Sequence, residues 1–140
     1  GMHPDRRSQS QNAAEKSACY PCTPTSVKDP LWKYKWVQQN EPEIFAKVHK
    51  WLDVKEYLIS RCTDRFIMTR DSAYSTFLYD TRKGREGWNK ALCRMYGVDP
   101  EHLPELIECT DIAGKLTAKA ASELGLSPGI YVYGGVVMQL

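Results

Sequence analysis

Helix starts and stops constrain this 140-residue sequence more than any other feature. Asp29-Pro30 places an acceptor side chain at an N-cap and a proline at the first helical position, where its missing N–H is harmless. Leu31, Trp32, Trp36 and Val37 follow at helical spacing, so Trp32 and Trp36 are expected on one buried face. Asn40-Glu41-Pro42-Glu43 reads as a capping box that opens a second helix, with Ile44, Phe45, Val48 and Trp51 facing a core. Asp53-Val54-Lys55-Glu56 repeats the signature ahead of Tyr57, Leu58, Ile59 and Cys62. Trp88, Ala91, Leu92, Met95 and Tyr96 mark a fourth helix that Gly97 stops, and Asp99-Pro100 begins a short helical turn. Thr117 caps an Ala-rich helix that ends at Gly125.

Strands are fewer. Phe66–Thr69 and Thr76–Tyr79 read as two short strands around a polar bend, Arg70 to Ser75. Ile130–Tyr133 reads as a buried strand that ends at Gly134-Gly135. The fold class is therefore α/β and helix-rich, without an internal repeat. No strand-rich nucleus precedes Asp29, so these helices are expected to complete a sheet that lies elsewhere.

Composition narrows the function classes. Residues 1–26 are polar or proline-rich and are expected to be a disordered leader and loop. A net charge of +2 gives no bulk attraction to nucleic acid or an anionic membrane. No apolar run reaches membrane-spanning length, and Gly1 to Lys16 contains no signal-peptide core, which makes the cytoplasm the expected compartment. Five cysteines at irregular spacing fit reduced thiols better than a disulfide framework. Cys19 and Cys22 have the spacing of a redox pair or half a zinc site, but no second pair supplies further ligands and the segment reads as a loop.

Candidate chemistry is sparse. Gly134-Gly135 at a strand end lets backbone approach a ligand closely, although a plain turn explains it too. The bend from Thr69 to Thr76 gathers hydroxyls, Asp71 and Arg70; substrate loop and self-bonded turn are both open readings. Lys28, Trp32, Lys33, Tyr34, Lys35 and Trp36 alternate bases with aromatics as a single-strand nucleic-acid platform does, but the helical spacing favours a core face. His49 and His102 have no partner at ligand spacing, and no P-loop, H-E-x-x-H or G-x-S-x-G is present.

Pro30, Lys33, Tyr34, Trp36, Val37, Gln39 and Asn40 match a signature of the FGGY carbohydrate kinases. Asn40-Glu41-Pro42-Glu43-Ile44-Phe45 followed by Val54-Lys55-Glu56-Tyr57-Leu58 resembles the xylulokinase-like branch of that family. The likeness continues through Asp71-Ser72-Ala73, Asp80, Trp88, Gly97 to Pro100, Leu103-Pro104, Gly114 to Leu116 and Glu123 to Leu126. It covers residues 27–135. The resemblance implies the later half of the kinase N-terminal domain, an actin-like, ribonuclease H-like fold. It also implies phosphoryl transfer from ATP to a sugar hydroxyl, with Mg²⁺ spreading charge and a carboxylate taking the proton. ATP and Mg²⁺ are expected for the parent kinase, and no cofactor for this chain alone. Sugar and ATP are the parent's implied partners, and a non-catalytic interaction module built on the same fold is the alternative.

Site residues carry over unevenly. Lys33, Asp71 and Ser72 match family positions, and Gly134 and Gly135 match the glycine run; all five are substrate-binding candidates. Met138 stands where the resemblance places the catalytic Asp, and a thioether accepts no proton. Residues 136–140 are therefore expected to form an aberrant tail, and the isolated chain is expected to be inactive. An exposed sheet edge is expected to promote self-association.

Overall fold

Proline at the first position and five good helix formers carry α1 over Pro30–Asn40, but the Asp29 side chain, expected to cap the helix, makes no cap hydrogen bond and accepts instead from Ser26 N at 2.9 Å. The computed structural model describes Ser26 and residues 28–136. The expected leader, the Cys19 and Cys22 pair and Met138 lie outside the described residues, apart from Ser26. The remaining helices are α2 (Pro42–Phe45), α3 (Val54–Thr63), α4 (Arg70–Tyr74), α5 (Lys90–Tyr96) and α6 (Ala118–Leu124), with a 3-10 turn at Pro100–His102. Strands are β1 (Ile67–Thr69), β2 (Tyr79–Asp80), β3 (Gly87–Trp88), β4 (Glu105–Ile107), β5 (Ile112–Lys115) and β6 (Tyr131–Tyr133). The described residues form two units: residues up to Lys47 with Tyr74–Pro100, and Val48–Ala73 with Glu101 onward.

In the first unit α1 packs on α2, and β2 pairs antiparallel with β3. Leu31 and Tyr34 are the buried side chains of α1, joined in this unit's core by Leu78, Leu92, Cys93 and Tyr96. Tyr34 meets Phe45 edge-on at 5.3 Å between ring centroids. Trp32 meets Tyr96 in the same way at 6.2 Å. The expectation that both tryptophans are core fails for Trp36, which is 50% exposed. The helix turns about Leu31 and Tyr34 instead, which leaves Trp36 on the outer face. Asn40 caps nothing: its side-chain amide donates to Trp36 O at 2.8 Å, and α2 starts from Glu41 without a side-chain cap. Ile44, expected in the core, is exposed.

In the second unit β1 runs parallel to β4, with Ile67 opposite Glu105 and Thr69 opposite Ile107. A parallel pair needs a crossover connection, and here residues 70–104 supply it. β5 and β6 form an antiparallel pair with Ile112 opposite Tyr133 and Lys115 opposite Tyr131. α3 packs on β1, β5, β6 and α6. Ile59, Ile67 and Ala113 form one apolar cluster, with Ile107 and Val132 against it. Leu116, Ala120 and Ala121 form a second, against Cys62 and Val132.

Local signals and tertiary demands part company at three places. The bend from Arg70 to Ser75 is the helix α4 over most of its length, and the strand expected at Thr76–Tyr79 begins only at Tyr79 and pairs with Gly87–Trp88. Asp53 accepts from Val54 N as the cap of α3, but Glu56 does not reach back to it; Glu56 is fully buried. Ile130–Tyr133 is a strand from Tyr131, yet Tyr131 and Tyr133 face outward and only Val132 joins the core. By contrast, Asn89 accepts from Ala91 N and Leu92 N to cap α5, which Gly97 stops in the left-handed conformation. Thr117 and Gly125 bound α6 as expected.

Candidate functional site

The glycine turn behind β6 is held by groups from three other parts of the second unit. Gly134 N–H donates to Asp111 O at 3.0 Å, and Gly135 N–H donates to Cys109 O at 2.9 Å. A Cβ built on Gly134 would lie 2.6 Å from Thr69 Cγ2 and 3.0 Å from Glu108 O, so only glycine fits there without displacement. Gly135 has φ +70°, the left-handed region that other residues enter at a cost.

Thr69 ends β1 and is fully buried. Its methyl closes on Gly134, and its hydroxyl faces two polar groups. Ser72 Oγ, on α4, lies 3.1 Å from Thr69 Oγ1. Lys55 Nζ, from the first turn of α3, donates to Thr69 Oγ1 at 2.6 Å and to Gly135 O at 3.0 Å. Lys55 also pairs with the buried Glu56 at 3.4 Å. Where α4 begins, Arg70 forms an ion pair with Glu108, just past β4.

The structure thus brings together Ser72, Gly134 and Gly135 among the sequence candidates, through Thr69 and Lys55, with Asp71 adjacent to Ser72 on α4. Lys33 is an exposed residue of α1 in the first unit and is not part of this cluster. Lys55 and Glu56 are not among the sequence candidates, whereas Thr69 opens the polar bend for which a substrate loop is one of two open readings. The available signal for Lys55 and Glu56 is the Val54-Lys55-Glu56-Tyr57-Leu58 resemblance, which overlaps the capping-box spacing of Asp53 and Glu56.

The cluster can order backbone and offer hydroxyl groups and carbonyls; it has little chemistry of its own. The described residues contain no group of three His, Cys, Asp or Glu side chains placed to hold a metal ion. The ammonium of Lys55 is already committed to Thr69, Gly135 and Glu56. These residues therefore do not by themselves form a cradle for Mg²⁺ or a triphosphate. A shallow groove of about 560 Å³ lies elsewhere in the same unit, with Leu52, Tyr57, Arg61 and Phe66 in its walls, and none of the candidates lines it. Cys62, Cys93 and Cys109 are free thiols, and burial pushes the Cys93 thiol up.

Comparison with known proteins gives this geometry a family. Residues 6–139 match the FGGY family of carbohydrate kinases, N-terminal domain. Xylulose kinase of Lactococcus lactis is 33% identical over 105 residues, which are 75% of this chain and 21% of that protein. Xylulose kinase of Bacillus subtilis is 35% identical over 107 residues, with 75% and 21% covered. The ligand-bound xylulose kinase structure from Lactobacillus acidophilus superposes with a TM-score of 0.78 at 21% identity, covering 93% of this chain and 27% of that one. That likeness shows the fold, and the α/β, actin-like class expected from the sequence is the one found. The chain spans about a fifth of the length of the curated relatives it matches. It belongs to the FGGY family of carbohydrate kinases, whose N-terminal domain it matches over nearly its whole length.

Proposed function

We propose that this chain is part of an ATP-dependent sugar kinase acting on xylulose or a related sugar, and that its 140 residues alone do not catalyse the transfer. One observation carries the reading: the family match runs over residues 6–139, while the chain corresponds to only 21% of a whole xylulose kinase. In the parent reaction a sugar hydroxyl takes the γ-phosphoryl group of ATP, with Mg²⁺ spreading the charge. Nearly all the acceleration in such a transfer comes from positioning and electrostatics. The glycine turn and its supports fit a positioning role, because they fix backbone tightly and the charges of Lys55 and Glu56 are set against each other.

The expected compartment is the cytoplasm. No described helix is long and apolar enough to cross a membrane. The three described cysteines are free thiols, as a reducing compartment would keep them.

The test is ADP release by the purified chain with ATP, Mg²⁺ and a panel of ketoses and pentitols, measured against a blank without protein. No sugar-dependent ADP is expected. Turnover that stays with the protein through further purification overturns the reading of inactivity and leaves the family assignment standing.

A further inference from the structure

Two adjacent residues of α3 have opposite surroundings. Glu56 is 0% exposed, and neither of its carboxylate oxygens has a hydrogen-bond partner among the described residues. Its ion-pair partner is Lys55, 3.4 Å away. A buried ion pair adds little to stability, because desolvation offsets the attraction, yet removing one member alone leaves a costly orphan charge. Glu56 thus sets a buried carboxylate against the Lys55 ammonium.

From beside that carboxylate, Lys55 uses its donors on two acceptors that are distant in sequence. One is Thr69 Oγ1 at 2.6 Å; the other is Gly135 O at 3.0 Å, 80 residues away. Nothing among the described residues lies within 4 Å of the position of a Cβ on Gly135. The hydrogen bonds that hold Gly135 are its own N–H to Cys109 O and the Lys55 bond to its carbonyl. Thr69 acts on the same turn through both branches, its methyl against Gly134 and its hydroxyl to Lys55.

We propose that Lys55 is a positioning residue whose ammonium, held by Glu56, fixes the Gly134-Gly135 turn and so the direction in which the chain leaves β6. Its consequence for catalysis rests on the kinase reading above, because the resemblance places the family's catalytic Asp just past the glycine run, at the position Met138 occupies here. Its geometry does not depend on that reading. Lys55 touches no reacting atom in this role; it acts through the carbonyl of Gly135.

The test is amide hydrogen exchange of the 140-residue chain, read residue by residue by NMR, with no sugar or nucleotide present. Lys55→Met removes the tether but also strands the Glu56 carboxylate. The double substitution Lys55→Met with Glu56→Gln removes both and keeps the experiment interpretable if the single variant unfolds. The double variant is expected to speed exchange at Gly134, Gly135 and Val136 by roughly tenfold or more, while amides of α6 and β4 stay within about twofold. Lys55→Arg keeps a cation with several donors and is expected to restore most of the protection. Unchanged exchange at the turn, or an equal rise throughout the second unit with no rescue by arginine, overturns the proposal. Because no substrate is involved, failure here leaves the kinase reading untouched, and unexpected turnover in the ADP assay leaves this proposal untouched.

Discussion

Arg82 grips both oxygens of Asp80, with Nε on Oδ1 at 2.8 Å and Nη2 on Oδ2 at 2.6 Å. Asn89, the cap of α5, adds a third side-chain donor to Oδ2 at 2.9 Å. One carboxylate therefore ties β2 to the loop behind it and to the start of the next helix.

These bonds make the first unit sensitive to acid. The Arg82 side-chain hydrogen bond, ahead of smaller contributions from the Arg82 backbone N–H, its charge and Asn89, holds the Asp80 carboxyl well below the usual carboxylate range against the opposing pull of burial. A depressed folded pKa means stability that is fully present above the unfolded value of about 3.9 and lost as pH falls towards the folded one. The urea midpoint is expected to fall from pH 6 to pH 3 more steeply in the native chain than in an Asp80→Asn variant. A gap between the two that is constant with pH would show that Asp80 contributes nothing through its charge.

Gly134→Ala places a methyl group against Thr69 Cγ2 at 2.6 Å and Glu108 O at 3.0 Å. Overpacking of this kind is expected to cost about 1–3 kcal/mol in urea unfolding. Thr69→Ser removes the obstructing methyl and keeps the hydroxyl. Combined with Gly134→Ala it should recover part of the loss, a coupling that a double-mutant cycle measures directly. Additive costs in the cycle would mean that Thr69 does not close on the turn.

Two substitutions on α1 separate its faces. Leu31→Ala opens the core at a fully buried site and is expected to cost about 2–5 kcal/mol. Trp36→Ala acts at a half-exposed ring and is expected to cost less than about 1 kcal/mol. Chemical denaturation of both variants gives the comparison, and equal costs would return Trp36 to the core.

What could be read from the sequence is what local chemistry decides. Thr117 and Gly125 bound α6 because a hydroxyl cap and a left-handed stop act within a few residues. β4 and β5 were not legible. Glu105–Ile107 is three residues long, and Ile112–Lys115 contains a glycine and a lysine; both become strands through partners at Ile67–Thr69 and Tyr131–Tyr133. Glu56 was misread for a related reason. Its spacing from Asp53 fits a capping box, but burial beside Lys55 overrides the local pattern. Ser72, Gly134 and Gly135 were legible as candidates from type and resemblance, and the structure brings them together. Lys55 was not, because what brings it there is a meeting with Gly135, which lies far along the chain.

The two units are threaded alternately: the chain passes from one to the other after Lys47, after Ala73 and after Pro100. Neither can be cut out as one continuous stretch, so a deletion meant to isolate one removes half of the other or leaves a gap to be bridged. Each must also close over an intervening segment of the other before its own core can form. The entropy of that closure grows only slowly with length, but it comes due before any contact repays it. Refolding is thus expected to be governed by the order in which interleaved segments meet, a property of the chain's path that no single side chain controls.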